Sequence, residues 1–474
     1  MKLFSLLKNI KCRIVGNSVV EIKGLYHNDT EVKEGGLFFC LRGTRVDGVN
    51  FVRSAIKNGA VAVVVESEIS NLVGVCQVVV KDAREAMSRL ACRFYGNPAS
   101  KLKIIGVTGT NGKTTITNMF RAVLAYAGRS VAVVGTNGVF FKDFKYDTGM
   151  TTPDPIELQK YFSMMVKHKI EYVCMEVSAH AIDLKKLCGV EFVACVFTNL
   201  TEDHLDYFKT MQNYFDAKSK IFSRQYTNLA IIGVDDFYGR ELAKRINIPF
   251  KTYAIDSDAD YVAHDIKMIG AGQEFFVDDT RFKINMAGKF NVLNSLAVVS
   301  ALTQMGFDIE TISKGLETLV GVDGRFNSFE IDGKLVIVDY AHTPDGLENV
   351  LQACREFVGD KNLFCVFGCG GNREKEKRAV MGQISSRLAD FSVITTDNPR
   401  FEKREDIAHD IESGFENDRY IIELDRPKAI KFAIEKASAG DVVLIAGKGA
   451  ENYIEENGVK IPYCDLNEIK KFRR

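Results

Sequence analysis

The sequence lacks a charge imbalance. Lys and Arg together number 62, as do Asp and Glu. Composition therefore gives no reason to expect nucleic acid or an acidic membrane surface as the main partner. It also lacks a long apolar run: none reaches the ~18 residues of a membrane span, so no span is expected. The opening Met1-Lys2-Leu3-Phe4-Ser5-Leu6-Leu7-Lys8 is soon broken by charge and has no small-residue cleavage site, unlike a secretory leader. No Cys-x-x-Cys pair occurs. The eleven cysteines are an odd number, and Cys174, Cys195 and Cys365 lie inside apolar runs, where cysteine acts as a small hydrophobe. Neither a disulfide framework nor a zinc site is indicated, and a reduced, cytoplasmic protein is the expectation. There is no internal repeat and no low-complexity segment. What is present is an apolar fraction of 46% over 474 residues. That is enough for ordinary packed cores, and at ~150 residues per domain it predicts about three domains.

Residues 1–100 read as a small α/β unit. Strands are predicted at 37–41, 61–65 and 78–80, with a helix over 52–58. Gly96-Asn97-Pro98-Ala99-Ser100 breaks the pattern and reads as a linker. From 101 to about 320, strands at 103–107, 131–134, 172–175, 193–198 and 229–232 alternate with helices, which implies a parallel sheet wrapped by helices. The turn Gly321-Val322-Asp323-Gly324 ends that block. The alternation restarts at 325, with strands at 335–339, 363–367, 391–395 and 441–445. Glycine and polar residues collect just after these last strands, at the carboxyl ends where open α/β sheets bind ligands.

The stretch that organises the chain is Lys103-Ile104-Ile105-Gly106-Val107-Thr108-Gly109-Thr110-Asn111-Gly112-Lys113-Thr114-Thr115. It reads as a strand, a glycine turn and a helix opening at Lys113. Gly109 and Gly112 permit a tight turn whose N–H groups face an anion, and the helix N-terminus adds positive potential there. Lys113 supplies a point charge for outer phosphates, and the Thr114 hydroxyl suits a bridging Mg²⁺. The spacing departs from Gly-x-x-x-x-Gly-Lys, because position 107 is valine.

Three further constellations could carry chemistry. Glu176, in Met175-Glu176-Val177-Ser178-Ala179-His180, ends a strand, where a carboxylate facing a phosphate cradle suits Mg²⁺ or a held water. Glu202, Asp203, His204 and Asp206 crowd after the next strand. They are of metal-ligating type, or alternatively form the acidic first turn of a helix capped by Thr201. Lys218, on a helix predicted from Met211 to Phe222, reads by itself as a surface lysine. In the last block, Gly368-Cys369-Gly370-Gly371-Asn372-Arg373, Asp397-Asn398-Pro399-Arg400 and Ala446-Gly447-Lys448-Gly449-Ala450-Glu451 each follow a strand. Taken singly they are turns with surface charges. Together, two arginines and two carboxylates suit a ligand carrying both charges, as an amino acid does.

The runs Gly109–Thr114, Met175–Ser178, Thr201–Asp206, Phe290-Asn291-Val292-Leu293-Asn294 and Asp339-Tyr340-Ala341-His342-Thr343-Pro344 resemble the signature runs of the Mur ligases, in the family's order and across most of the chain. The closest resemblance is to the MurE type. It implies an α/β, three-domain Mur ligase architecture: an N-terminal UDP-sugar-binding domain (1–100), a central P-loop parallel-sheet ATPase domain (101–324) and a C-terminal Rossmann-like, amino-acid-binding domain (325–474). It implies ATP and Mg²⁺ as cofactors, and UDP-N-acetylmuramoyl-L-alanyl-D-glutamate and a diamino acid as small-molecule substrates. It also implies a cytoplasmic monomer that joins meso-diaminopimelate to the dipeptide through an acyl phosphate. The alternatives are a MurE type adding L-lysine or another diamino acid, or another superfamily ligase such as a folylpolyglutamate synthetase.

Residue roles follow from the resemblance. Gly109, Thr110, Asn111, Gly112, Lys113, Thr114 and Thr115 would cradle the phosphates. Asn291 and Asn294 resemble adenine-side residues, and Arg325, Asp339 and His342 resemble contacts to the rest of ATP. Thr114, Glu176, His204 and Lys218 would serve the metals, with Lys218 matching a lysine that the family carries as a carbamate. Lys113, Glu176, His204 and Lys218 would be catalytic. Thr151, Thr152, Ser178 and Lys186 match the muramoyl-peptide contacts. Arg373, Asp397, Asn398, Arg400, Gly447 and Glu451 match the amino-acid site. Three positions depart from the family pattern: Lys186 and Ala450 stand where arginine and histidine are usual, and Asn28-Asp29-Thr30 stands where Asp-Ser-Arg is common.

Overall fold

The computed structural model describes residues 1–43, 46–269 and 272–472. The chain forms two compact units that interleave in sequence. One comprises Met1–Gly106, Arg129–Cys195 and Lys220–Leu229; the other comprises Val107–Gly128, Val196–Ser219 and Ala230–Arg474.

The first unit contains a five-stranded sheet in the order Cys12–Val15, Cys76–Val80, Ala60–Val65, Gly36–Phe39, Gly24–Tyr26. The Cys12–Val15 pairing is antiparallel and the others are parallel. Period two sorts the apolar runs between its faces. Leu37, Phe39, Ala62 and Val64 pack with Leu3, Leu6 and Leu90, whereas Phe38, Val63 and Val65 pack with Val52 and Ala55 on the other side. Both faces are covered, which is why these strands are apolar throughout. Asp82 caps the covering helix Ala83–Phe94 by accepting from Glu85 N at 2.8 Å. The stretch 96–100, expected as a linker, is a structured turn: Asn97 is left-handed (φ 51°) and leads into a 3₁₀ helix over Pro98–Lys101. The same unit holds the parallel pair Val131–Gly135 and Tyr172–Glu176, extended by the antiparallel strands Gly138–Phe141 and Phe144–Tyr146.

The second unit carries the cradle helix Lys113–Tyr126, against which the helices Lys289–Gln304 and Ile309–Glu317 pack. Strands Ala230–Gly233, Phe250–Ala254 and Tyr261–Ile269 are parallel, and Gly272–Val277 and Thr280–Ile284 then continue antiparallel. The expected parallel sheet therefore acquires antiparallel extensions in both units. A six-stranded sheet follows, in the order Asn327–Ile331, Lys334–Asp339, Val442–Ala446, Leu363–Phe367, Phe391–Ile394, Tyr420–Ile422. It is parallel apart from its first strand. Leu347 and Leu351 of one helix and Met381 of another cover one face; Ala429, Ile430, Ala433 and Ile469 cover the other. This doubly wound arrangement puts Asp339, Asp397 and Gly447 at the carboxyl ends of three of its strands.

Among the described residues, no helix is long and apolar enough to cross a membrane. Among the described residues no disulfide joins any of the eleven cysteines.

Candidate functional site

The cradle is held open by two glycines. Gly109 (φ 149°) has no room for a side chain, since a Cβ would lie 1.8 Å from Thr198 Oγ1. Gly112 (φ 86°) is left-handed, and a Cβ there would lie 2.5 Å from Asn294 Oδ1. The loop is fastened from beneath. Thr110 N donates to Asn199 O (2.9 Å), Asn111 N to Asn199 Oδ1 (2.9 Å), and Thr198 Oγ1 to Asn111 O (2.7 Å). The amides of 110 and 111 therefore shape the loop, and the N–H groups that could take an anion are those of the first turn of the helix that follows, where Thr114 and Thr115 are buried. Thr198 and Asn199 were not anticipated from sequence. They are about 90 positions away, and only tertiary packing brings them here.

Two lysines converge on one carbonyl. Lys113 Nζ donates to Gly109 O (2.9 Å) and Thr110 O (2.7 Å), and Lys218 Nζ donates to Gly109 O (2.8 Å). Lys218 lies 4.7 Å above the centre of the Tyr214 ring. It is 1% exposed, which corrects the surface-lysine reading. Its helix, Met211–Ser219, buries Tyr214, Phe215, Ala217 and Lys218 together. Burial, and then the charge of Lys113, push the Lys218 ammonium well below its ordinary pKa. Both effects disfavour the charged form.

His204 is left-handed (φ 58°) and precedes the short helix Leu205–Phe208; Thr201 does not cap it. His204 Nε2 lies 3.4 Å from Asp203 Oδ2. Burial raises the Asp203 carboxyl, but electrostatic interactions with His204, His342, Lys377 and Lys113 outweigh it and hold Asp203 below its usual value. Thr114 Oγ1 accepts from Arg325 Nη2 (3.1 Å), and the Arg325 guanidinium stacks 4.4 Å from the Tyr340 ring. Asp339 spends both oxygens on backbone, accepting from Phe326 N and Ala341 N at 2.7 Å each. His342 Nδ1 bonds to Tyr340 O (2.9 Å), and burial, then Lys377, lower its pKa. Asn291 Nδ2 donates to Ala287 O (2.7 Å) and Asn294 Nδ2 to Asn291 Oδ1 (3.2 Å), on the helix behind Gly112. The six-stranded-sheet region meets the cradle through Asp345 Oδ2, which accepts from Asn111 Nδ2 (2.7 Å), and through Glu374 Oε1, which accepts from Leu205 N.

The amino-acid constellation assembles within the same unit. Asn398 Nδ2 donates to Glu451 Oε2 (2.9 Å), Gly371 N to Asn398 O (2.9 Å), and Arg400 Nη1 to Gly371 O (2.8 Å). Burial raises the Asp397 carboxyl, but Lys448 and then Arg426 dominate and lower it. Gly447 (φ 111°) leaves space for Asp397, whose Oδ2 a Cβ would approach to 2.7 Å. Arg373 pairs instead with Asp206, at 3.4 Å. Sequence reasoning missed the hairpin Tyr453–Glu456/Val459–Pro462, which seats Arg400. Arg400 N donates to Glu455 O (2.9 Å), and Arg400 Nε lies 3.3 Å from Glu455 Oε2. It also missed the buried pair Arg426–Asp465 (2.7 Å), whose arginine donates to Thr396 O and Ala446 O at two strand ends.

In the other unit, Glu176 is buried, and its carboxylate accepts from Thr136 N and Thr136 Oγ1, each at 3.0 Å. Thr136 Oγ1 and Thr151 Oγ1 are 3.1 Å apart. Thr152 Oγ1 donates to Glu176 O (3.0 Å) and accepts from Ser178 N (3.1 Å). Ser178 caps the helix Ala179–Asp183. Lys186 Nζ pairs with Asp154 Oδ1 at 2.7 Å. Thr151, Thr152, Glu176 and Ser178 thus form one connected polar patch.

Three family models match successive stretches of the chain: Mur ligase family, catalytic domain, over residues 21–95; Mur ligase middle domain over 107–302; and Mur ligase, glutamate ligase domain, over 324–449. A UDP-N-acetylmuramoyl-L-alanyl-D-glutamate–2,6-diaminopimelate ligase from Clostridium acetobutylicum is 43% identical, covering 99% of this chain and 98% of its own. A solved structure of a ligase of that name is 32% identical with a TM-score of 0.69, covering 99% of this chain and 98% of that one. The MurF ligase of Thermotoga maritima, solved with ADP, shares the fold at 22% identity and a TM-score of 0.64, covering 89% and 93%. With three successive domain models and full-length relatives in agreement, the chain belongs to the Mur ligase family, with its three-domain α/β fold.

Proposed function

We propose that the chain is an ATP-dependent, ADP-forming ligase that adds meso-diaminopimelate to UDP-N-acetylmuramoyl-L-alanyl-D-glutamate in peptidoglycan precursor synthesis. The observation that carries the choice of amino acid is Arg400, fixed by Gly371 O and Glu455 beside Asp397, Asn398 and Glu451. A diamino acid with a far carboxylate needs a cation there, and its ammonium groups need carboxylates. The names of the full-length relatives agree with this reading. We assign residues 1–100 to the UDP-sugar, 101–324 to ATP and 325–474 to the amino acid, a division close to the stretches the three family models match.

The glutamate carboxylate is a poor acyl donor. Its oxygen attacks the γ-phosphorus, ADP leaves, and an acyl phosphate forms. The amine then attacks the carbonyl carbon, and the tetrahedral intermediate expels phosphate and loses a proton. The protein's task is positioning and charge neutralisation. The helix N-terminus at Lys113, with Lys113 and Arg325, faces the triphosphate. Asn291 and Asn294 support the loop on the adenine side, and Asp339 and His342 fix the turn that carries Tyr340. Thr151, Thr152, Ser178 and Lys186 hold the muramoyl dipeptide.

The hydroxyl of Thr114 and the imidazole of His204 suit Mg²⁺ by type, and the resemblance to the family assigns the carboxylate of Glu176, in the other unit, to the metals as well. Among the described residues, no group of three or more His, Cys, Asp or Glu could hold a metal alone. Bound there, Mg²⁺ would neutralise phosphate charge. Lys218, buried beside Lys113 in surroundings that disfavour its ammonium, suits carbamate formation with CO₂, which would give the metals an anionic neighbour. Dependence on ATP and cysteines that form no disulfide among the described residues suit the cytoplasm.

The test is phosphate release with ATP, the UDP-muramoyl dipeptide and a panel of amino acids. Release that requires all three substrates supports the assignment; release with no member of the panel contradicts it.

A further inference from the structure

The turn Gly447-Lys448-Gly449 puts a lysine among carboxylates and an amide. Lys448 is fully buried. Its ammonium donates to Glu451 Oε2 (2.6 Å) and Asn398 Oδ1 (3.1 Å), lies 3.9 Å from Asp397 Oδ1 and sits 5.7 Å from the centre of the Tyr453 ring. Asn398 Nδ2 donates to the same Glu451 oxygen (2.9 Å), so lysine, amide and carboxylate close a ring. Glu455 N donates to Asn398 Oδ1 (2.8 Å), leaving neither end of that amide unused. Glu451 Oε2 thus takes two donors, while Oε1 takes no hydrogen bond from the described residues. The flanking glycines make this burial possible: Gly449 (φ 52°) runs so close to Gly324 that a Cβ would lie 2.7 Å from Gly324 O.

A glutamate at a pocket mouth normally samples several rotamers. Here one oxygen is clamped by a buried cation, so the other is presented in a fixed direction. We propose that Lys448 is a positioning residue for the incoming amino acid: it clamps Glu451 through Oε2 so that Oε1 receives that substrate's ammonium. The inference rests on reading 397–400 and 447–451 as the amino-acid site. Lys448 spends its donors on protein groups, and its effect on the substrate ammonium runs through Glu451.

The experiment compares Lys448→Met, Glu451→Gln and the double variant, measuring KM separately for amino acid, ATP and muramoyl dipeptide. Lys448→Met should raise the amino-acid KM at least about 30-fold, the lower end for breaking a buried charged pair. The other two KM values should move less than about threefold, which a general loss of packing would not produce. In the Glu451→Gln background, Lys448→Met should add less than about twofold, because the clamped group has already lost its charge. If Lys448→Met alone fails to fold, the double variant, which removes both charges, still reads this last term. An unchanged amino-acid KM in folded Lys448→Met, or a full multiplicative effect in the double variant, overturns the proposal. If Glu451→Gln itself leaves the amino-acid KM unchanged, the site assignment has failed instead.

Discussion

Replacing Lys218 by alanine tests the least ordinary feature of the nucleotide site. The ammonium of Lys218 shares Gly109 O with that of Lys113, at 2.8 and 2.9 Å. Were both protonated, their charges would repel by a few kcal/mol at an effective dielectric constant of about 20, which disfavours the Lys218 ammonium. Carbamate formation removes this repulsion and reverses its sign: the neutral amine adds to CO₂, releases a proton and becomes an anion beside Lys113. Lys218→Ala should therefore lose at least about 100-fold in kcat, the scale seen when one preorganised electrostatic group is removed. A short carboxylic acid should partly restore activity by occupying the vacated space. The parent enzyme should lose activity in CO₂-depleted buffer, regain it with bicarbonate, and show a carbamate carbon resonance after equilibration with ¹³C-bicarbonate. Full activity without CO₂, together with no such resonance, would refute the carbamate.

Lys113→Ala should lose at least about 100-fold in phosphate release while its melting temperature stays within a few degrees, because Lys113 is only half-buried and its ammonium bonds to the loop carbonyls. Near-normal turnover in the folded variant would remove it from the mechanism. A pH effect is expected at Glu402. Hydrogen bonds from Arg378 lower its pKa from 4.5 to about 2, against the opposing effect of burial. A depressed carboxyl contributes stability that is complete above its ordinary pKa and is lost as pH falls towards the folded value. Glu402→Gln should therefore melt lower than the parent at neutral pH, and the gap should close between about pH 5 and pH 2. A gap independent of pH would show that the ion pair contributes nothing.

Much of this was legible in the sequence where local rules dominate. The valine-rich strands, the glycine cradle and the polar loops after strands 391–394 and 442–446 follow from periodicity and turn chemistry. Lys218 was not legible. Met-Gln-Asn-Tyr-Phe-Asp-Ala-Lys-Ser shows no clean apolar stripe, so nothing marks position 218 as interior. Asp345 and Thr198–Asn199 reach the cradle only through tertiary packing across long sequence separations. The hairpin that seats Arg400 was hidden because its strands carry Glu455, Glu456 and Lys460, which read as solvated surface. Lys448 did carry a signal. A lysine between two glycines can be turned inward, and here both glycines are left-handed.

The most direct measurement of the choice of substrate is phosphate release with ATP and the muramoyl dipeptide, run with meso-diaminopimelate and with L-lysine, on the parent and on Arg400→Ala. Losing a charged contact in a closed site costs on the order of 2–5 kcal/mol, or about 30-fold and upwards. The parent should prefer diaminopimelate. Arg400→Ala should lose at least about 30-fold in kcat/KM with diaminopimelate and keep whatever lysine activity the parent has. A parent enzyme that adds lysine at least as well as diaminopimelate, or a variant that loses both equally, would contradict the assignment of Arg400 to the far carboxylate.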